Sequence, residues 1–321
     1  MKKLLLITVS VLCSLPLFPW GFYAHRQINY YAVFMLPPDM LVLYKPNIQF
    51  LSDHAVDPDK RRYAVAAEGA RHYIDIDHYG IYPFDSLPRL WTKAVDKYGK
   101  DTLQAYGIVP WHIQTMLGRL TAAFKEKDQV KILKLSADIG HYIADSHVPL
   151  HVCSNHNGQL TNQQGIHAFW ESRIPELLAA TSWDFLLGKA TYIDNPLAFT
   201  WKRVLESAAA SDSVLHTESS LTAQFSSDRK YSFEQRNGQF LRQYSTAFCH
   251  AYDQQLNNMI ERRMQQSIVA VASFWYTAWV NAGQPDLKQL LNKDFSEEDR
   301  REFDELNKAW LKGQAPGKNC D

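Results

Sequence analysis

Charge of one sign is missing from this 321-residue chain: lysine and arginine together number 34, as do aspartate and glutamate. The balance excludes a global electrostatic footprint for nucleic acid or an anionic membrane and leaves only local patches open. Cysteine is scarce, with four in all. Cys13 lies in the amino-terminal apolar stretch. Cys153, Cys249 and Cys320 follow, an odd set in which two could pair in an oxidising compartment without the sequence choosing which. Cys249 reads equally well as a small buried hydrophobe on a helix. Few stretches alternate apolar and polar residues with a period of two, which leaves a sheet-based fold little support. There is no internal repeat and no low-complexity block, so solenoid and fibrous architectures find no footing.

Long hydrophobic runs are also missing. The start, MKKLLLITVSVLCSLPLF, has a short basic region and then apolar residues broken by serines and Pro16. That is too interrupted for a comfortable membrane span and is patterned as a secretory signal peptide. We read residues 1–19 as that peptide and expect a secreted or periplasmic mature protein, although Phe18 and Pro19 supply no A-x-A cleavage context. What is present is 46% hydrophobic content, ample for a proper core. Ile113, Met116, Leu117, Leu120 and Phe124 recur at helical spacing, and so do Ile132, Leu135, Ile139 and Ile143. From about Ser245 to Ala282 there is no proline, and Phe274, Trp275, Tyr276 and Trp279 crowd the end before Gly283 and Pro285 stop the run. A short helix is expected over 296–311. Pro83, Pro88, Gly99, Gly107 and Pro110 mark an irregular connection over 81–110 of the kind that rims a site. The expected architecture is a single all-α multi-helix domain over 20–312, its helices pointing polar residues at a common cleft, with a frayed tail over 313–321.

The polar residues worth that reading start with HYIADSHVPLH, residues 141 to 151. On a helix, His141 and Asp145 stand one turn apart on the same face. Pro149 ends the helix, so His151 approaches from another direction. Two imidazoles and a carboxylate converging in this way suit a divalent cation such as zinc. GIHAFWE repeats the spacing with His167 and Glu171. WGFYAH puts His25 five residues after Trp20, DHAVDPDKRR is rich in carboxylates, and RHYIDID follows with His72, Asp75 and Asp77. Asp75 and Asp77 could orient ligand histidines by accepting their second ring proton. A di-iron carboxylate bundle would need paired E-x-x-H elements instead.

The ordered set W-G-x-x-x-H, D…H-Y, H-x-x-x-D-x-x-x-P-L-H and H-x-x-x-E, spanning Trp20 to Glu171, resembles the superfamily that joins zinc-dependent phospholipase C to the single-strand-specific zinc nucleases. The resemblance implies an all-α fold with a trinuclear zinc cluster (Zn2+) in a cleft. Asp57, His72, His141 and Asp145 would hold one zinc; His151, His167 and Glu171 a second; His25, the other oxygen of Asp145, and the α-amino group and carbonyl of Trp20 the third. Asp53 and Asp59 lie within a turn of Asp57, which ranks first on its spacing to His72. The third zinc requires Trp20 to be the mature N-terminus; otherwise two are expected. Asp145 serves two metals, and Asp57 could double as a proton acceptor, which makes these two the candidate catalytic residues.

The implied activity is hydrolysis of phosphate ester bonds, in a phospholipid headgroup or in single-stranded nucleic acid, by a water activated between zincs. Glu171 and the short span from His151 to His167 resemble the phospholipase side, whereas Trp170, just before the acid, is similar to the nuclease side. A catalytically silent metal-binding relative is the alternative of another class. Lys60, Arg61 and Arg62 could clamp a phosphate, though a solvated charge run reads as well. No stable protein partner is implied, and a monomer is expected.

Overall fold

The stripe Ile113, Met116, Leu117, Leu120 and Phe124 is buried along one face of a helix, and the run of Ile132, Ile139 and Ile143 is buried on the next. These come from a computed structural model that describes residues 21–236, 239–290 and 294–313. The signal peptide, Trp20, Cys13, Cys320 and all but the first residue of the tail lie outside those residues. The described residues are mostly helical, with one small two-stranded sheet among them. Among the described residues no helix is long and apolar enough to cross a membrane.

The principal helices are α1 (Phe22–Val33), α2 (Val109–Glu126), α3 (Gln129–Asp145), α4 (Pro196–Thr222), α5 (Thr246–Gln255), α6 (Met259–Asn281) and α7 (Glu297–Leu311). Helix α6 packs against α1, α2 and α3. Trp275, fully buried on α6, donates its indole N–H to the Ser136 carbonyl of α3 at 2.9 Å, so a large apolar side chain also satisfies its one polar atom. Helix α1 approaches α3 closely enough that a Cβ at Gly140 would run into the Asn29 amide, which donates to the Leu51 and Ala137 carbonyls at 3.1 Å each. That close approach brings the rings of His25 and His141 into a stack with centroids 3.9 Å apart. A second apolar cluster, including Leu150, Ile166, Phe169, Ile174, Phe248 and Tyr252, forms under the segments that follow α3. The candidate ligands of the sequence lie at the seam between the two clusters.

Three expectations are corrected. The proline-free run over 245–282 is two helices, because Asn257 and Asn258 adopt positive φ between α5 and α6. The connection over 81–110 contains short helices at Trp91–Tyr98 and Lys100–Ala105. The chain also forms an antiparallel hairpin, β1 (Tyr231–Arg236) with β2 (Gln239–Tyr244), around an Asn-Gly pair that is itself a hairpin signal. Cys153 and Cys249 are both buried and are not bonded to each other.

His112, on α2, is buried with its ring edge-on to Tyr142. Burial, reinforced by the Arg71 guanidinium, holds its pKa down at about 3. Its folded pKa thus lies below its unfolded value of about 6.5, so the stability it contributes is full above that value and is lost as pH falls toward 3. The linkage amounts to about 3 kcal/mol between about pH 7 and about pH 4. Denaturant midpoints across that range should fall less steeply for His112→Gln than for the parent; equal slopes would remove His112 from the account.

Candidate metal centre

The site begins where α3 ends. His141 and Asp145 stack one turn apart on α3, and Pro149 opens a short 3-10 turn over Pro149–Val152 that delivers His151. His167 follows Gly165, which sits at positive φ, and the helix then widens into a π-helical turn over Phe169–Arg173 that carries Glu171. Such turns recur at functional sites. His25 comes from α1 and His72 from the turn after Gly69–Arg71.

Four side chains from these segments converge as two triangles that share the His72–His141 edge, one completed by Asp145 and the other by Asp59. His72 Nδ1 lies 3.0 Å from His141 Nε2 and 3.1 Å from Asp145 Oδ2. His141 Nε2 lies 3.4 Å from the same oxygen. Asp59 Oδ1 lies 3.7 Å from His72 Nδ1 and 3.6 Å from His141 Nε2. Ligand atoms held about 2.1 Å from a tetrahedral zinc are about 3.4 Å apart, which is the scale of all five separations. A second group joins His151 Nε2 and His167 Nε2 to Glu171 Oε2, at 3.4 and 2.7 Å. His25 Nε2 lies 3.4 Å from Asp145 Oδ1 and 3.2 Å from Glu171 Oε1. Three sets, His25–His141–Asp145, Asp59–His72–His141 and His151–His167–Glu171, are each close enough to hold a metal ion. Asp145 and Glu171 both turn one oxygen to each of two neighbouring sets.

The structure therefore gathers His25, His72, His141, Asp145, His151, His167 and Glu171, and it replaces Asp57 with Asp59. Asp57 accepts hydrogen bonds from His54 Nδ1 at 2.6 Å and Lys60 Nζ at 3.1 Å, so both its oxygens are engaged away from the cluster. Two residues on, about 200° around a helical turn, Asp59 faces His72. Asp53 pairs with Gln49. Trp20 is outside the described residues; Gly21, its neighbour, abuts Glu171. Asp77 is held by Ser154 rather than by a ligand histidine. His147 bonds the Ile143 carbonyl and joins none of the sets. Of the three basic residues after Asp57, Lys60 pairs with Asp57 and Arg61 with Asp138, while Arg62 reaches Asp59 at 3.9 Å.

Electrostatics favour a cation here. Burial pushes His72 and His141 well below the ordinary imidazole range and His151 down to about 4, so their lone pairs are available at neutral pH. Burial, then Glu171 and Asp59, push Asp145 well above the usual carboxylate range. Its Oδ1 is buried without a hydrogen-bond partner, an expensive state that a metal ion relieves. Glu171 is held well below its usual range because His151, with His167 and His25, outweighs its burial.

Ligand orientation is fixed from outside. His141 Nδ1 donates to the Ala55 carbonyl at 2.8 Å and His167 Nδ1 to the His156 carbonyl at 3.2 Å. His72 Nε2 is buried without a hydrogen-bond partner, and the nearest acid is Glu68, whose Oε1 lies at an ion-pair distance of 3.6 Å. Glu68 is 0% exposed and is gripped by Tyr142, Arg71 and Arg61. The sequence reading missed it, although Glu68 and His72 stand at the same four-residue spacing as the recognised pairs. Glu68→Gln should weaken zinc binding by about 10- to 100-fold, read by competition with a chromogenic chelator. Unchanged affinity would reduce Glu68 to a structural ion-pair partner.

No family model matches the chain, and no curated protein matches it.

Proposed function

We propose that the chain is a zinc-dependent phosphoesterase of the phospholipase C and zinc nuclease type, with phospholipid headgroups as its substrate class. The observation that carries this reading is the convergence of Asp59 and Asp145 on the His72–His141 pair, with a second set at His151, His167 and Glu171 on the far side of Asp145. Donors of imidazole and carboxylate type at these separations fit zinc. Bound zinc supplies Lewis-acid charge stabilisation and acidifies a coordinated water. The chain's residues do the rest. Asp145 spans neighbouring sets with its two oxygens and fixes their spacing. Asp59, the most exposed carboxylate of the group, takes the proton-acceptor role expected above of Asp57. Arg62, 3.9 Å from Asp59, would be the side chain that orients a phosphate.

Trp170, the feature shared with the nuclease side, is buried in the second apolar cluster. The test is hydrolysis of a soluble phosphodiester reporter: activity should vanish with a chelator and return with zinc. Metal-loaded protein inert on reporter, lipid and single-stranded nucleic acid would instead support the silent metal-binding alternative.

A further inference from the structure

The hairpin is built outward from the metal centre. Arg173, two residues past Glu171, donates from Nη1 to Glu234 at 3.0 Å and from Nε to the Tyr244 carbonyl at 3.2 Å. The Tyr244 ring packs on Phe169 with centroids 4.0 Å apart. These contacts fix the base of the hairpin to the turn that carries Glu171. Nearer the tip, Phe233 pairs with Arg242 and Gln235 with Phe240, so all four side chains share one face, with the two phenylalanines as diagonal neighbours. Phe233 is 71% exposed and Phe240 73%. A two-stranded hairpin gains no stability from holding two phenylalanines in water.

The charge on that face names a partner. Arg242 shares it, stacked on Tyr231 at 4.5 Å. The one acid among the described hairpin residues, Glu234, points to the opposite face and is neutralised by Arg173. Exposed apolar residues also follow the other ligands: Ile81 and Tyr82 after His72, and Leu160 between His151 and His167. The loop after His72 is tied to the segment after His151 through Asp77 and Ser154. Ile81 and Leu160 have no π face on which a base could stack, whereas aliphatic, aromatic and arginine side chains together suit a bilayer interface.

We propose that the hairpin docks on a phospholipid bilayer carrying anionic headgroups, burying Phe233 and Phe240 while Arg242 meets headgroup phosphate. Its purpose rests on the phosphoesterase reading, because docking presents the metal centre to lipid phosphate. The test compares the mature metal-loaded chain with the Phe233→Ser/Phe240→Ser double variant in co-sedimentation with phosphatidylcholine vesicles containing phosphatidylglycerol. The soluble reporter is assayed on the same samples. The parent should sediment with the vesicles, and the double variant should bind at least about tenfold more weakly while cleaving the reporter at the parental rate. Parent that cleaves the reporter but ignores vesicles overturns the docking and leaves the phosphoesterase reading intact. Hairpin-dependent sedimentation without reporter cleavage supports the docking and overturns that reading. Vesicle binding unaffected by the double substitution overturns the docking. So does binding to single-stranded DNA, or self-association, that depends on the two phenylalanines and occurs in place of vesicle binding.

Discussion

Replacing Asp145 with Asn is expected to strip metal from two neighbouring sets at once and to lower phosphodiester hydrolysis by on the order of a thousandfold, the equivalent of the several kcal/mol that metal-based charge stabilisation supplies. Its Oδ2 faces His72 and His141 and its Oδ1 faces His25, so one substitution removes charge from both sides. The same variant should leave the metal-free protein at least as stable as the parent. Without a cation, Asp145 is a buried carboxylate pushed well above its usual range by burial, Glu171 and Asp59, with one oxygen unpartnered; an amide of the same shape carries no such cost. Thermal melts of both proteins with and without zinc should cross: parent above variant with metal, variant level or higher without. A variant that keeps its zinc and its activity would sink the assignment.

Glu171→Gln should behave oppositely without metal. Glu171 is held well below the usual carboxylate range, with His151, His167 and His25 overcoming its burial. A depressed acid contributes stability that is present above its unfolded pKa and lost as pH falls through the folded one. Its removal should therefore cost the metal-free protein about 1–3 kcal/mol at neutral pH. With metal, the variant should lose the ion of the His151 and His167 set and keep the one at Asp59, His72 and His141, because those sets share no residue. Hydrolysis should drop by on the order of a thousandfold here as well. Equal metal-free stability of parent and variant, or loss of all bound zinc together, would contradict two separable sets.

What could be seen in the sequence was what local geometry dictates. His141 with Asp145, and His167 with Glu171, are one turn apart wherever the chain is helical, and Pro149 forces the change of direction that delivers His151. The choice between Asp57 and Asp59 was not legible. Both lie in one short helix, and which side faces His72 depends on His54 and Lys60 capturing Asp57. That His72 turns Nδ1 rather than Nε2 toward His141 and Asp145 was hidden as well, because it is a long-range arrangement that local spacing does not report. The hairpin was missed because the two strands are only six residues each, although Tyr231 and Phe233 alternate with polar neighbours and the Asn-Gly pair between the strands was in view. The break between α5 and α6 rests on two asparagines at positive φ, a conformation Asn tolerates better than most residues.

The most direct test of the account is the bound-metal content of the purified mature protein, measured with its N-terminal residue identified on the same sample. The account predicts zinc at about two per chain from the Asp59 and Glu171 sets, and about three when the chain begins at Trp20 and completes the His25 set. Protein that retains no zinc, and takes none up when it is supplied, would contradict it.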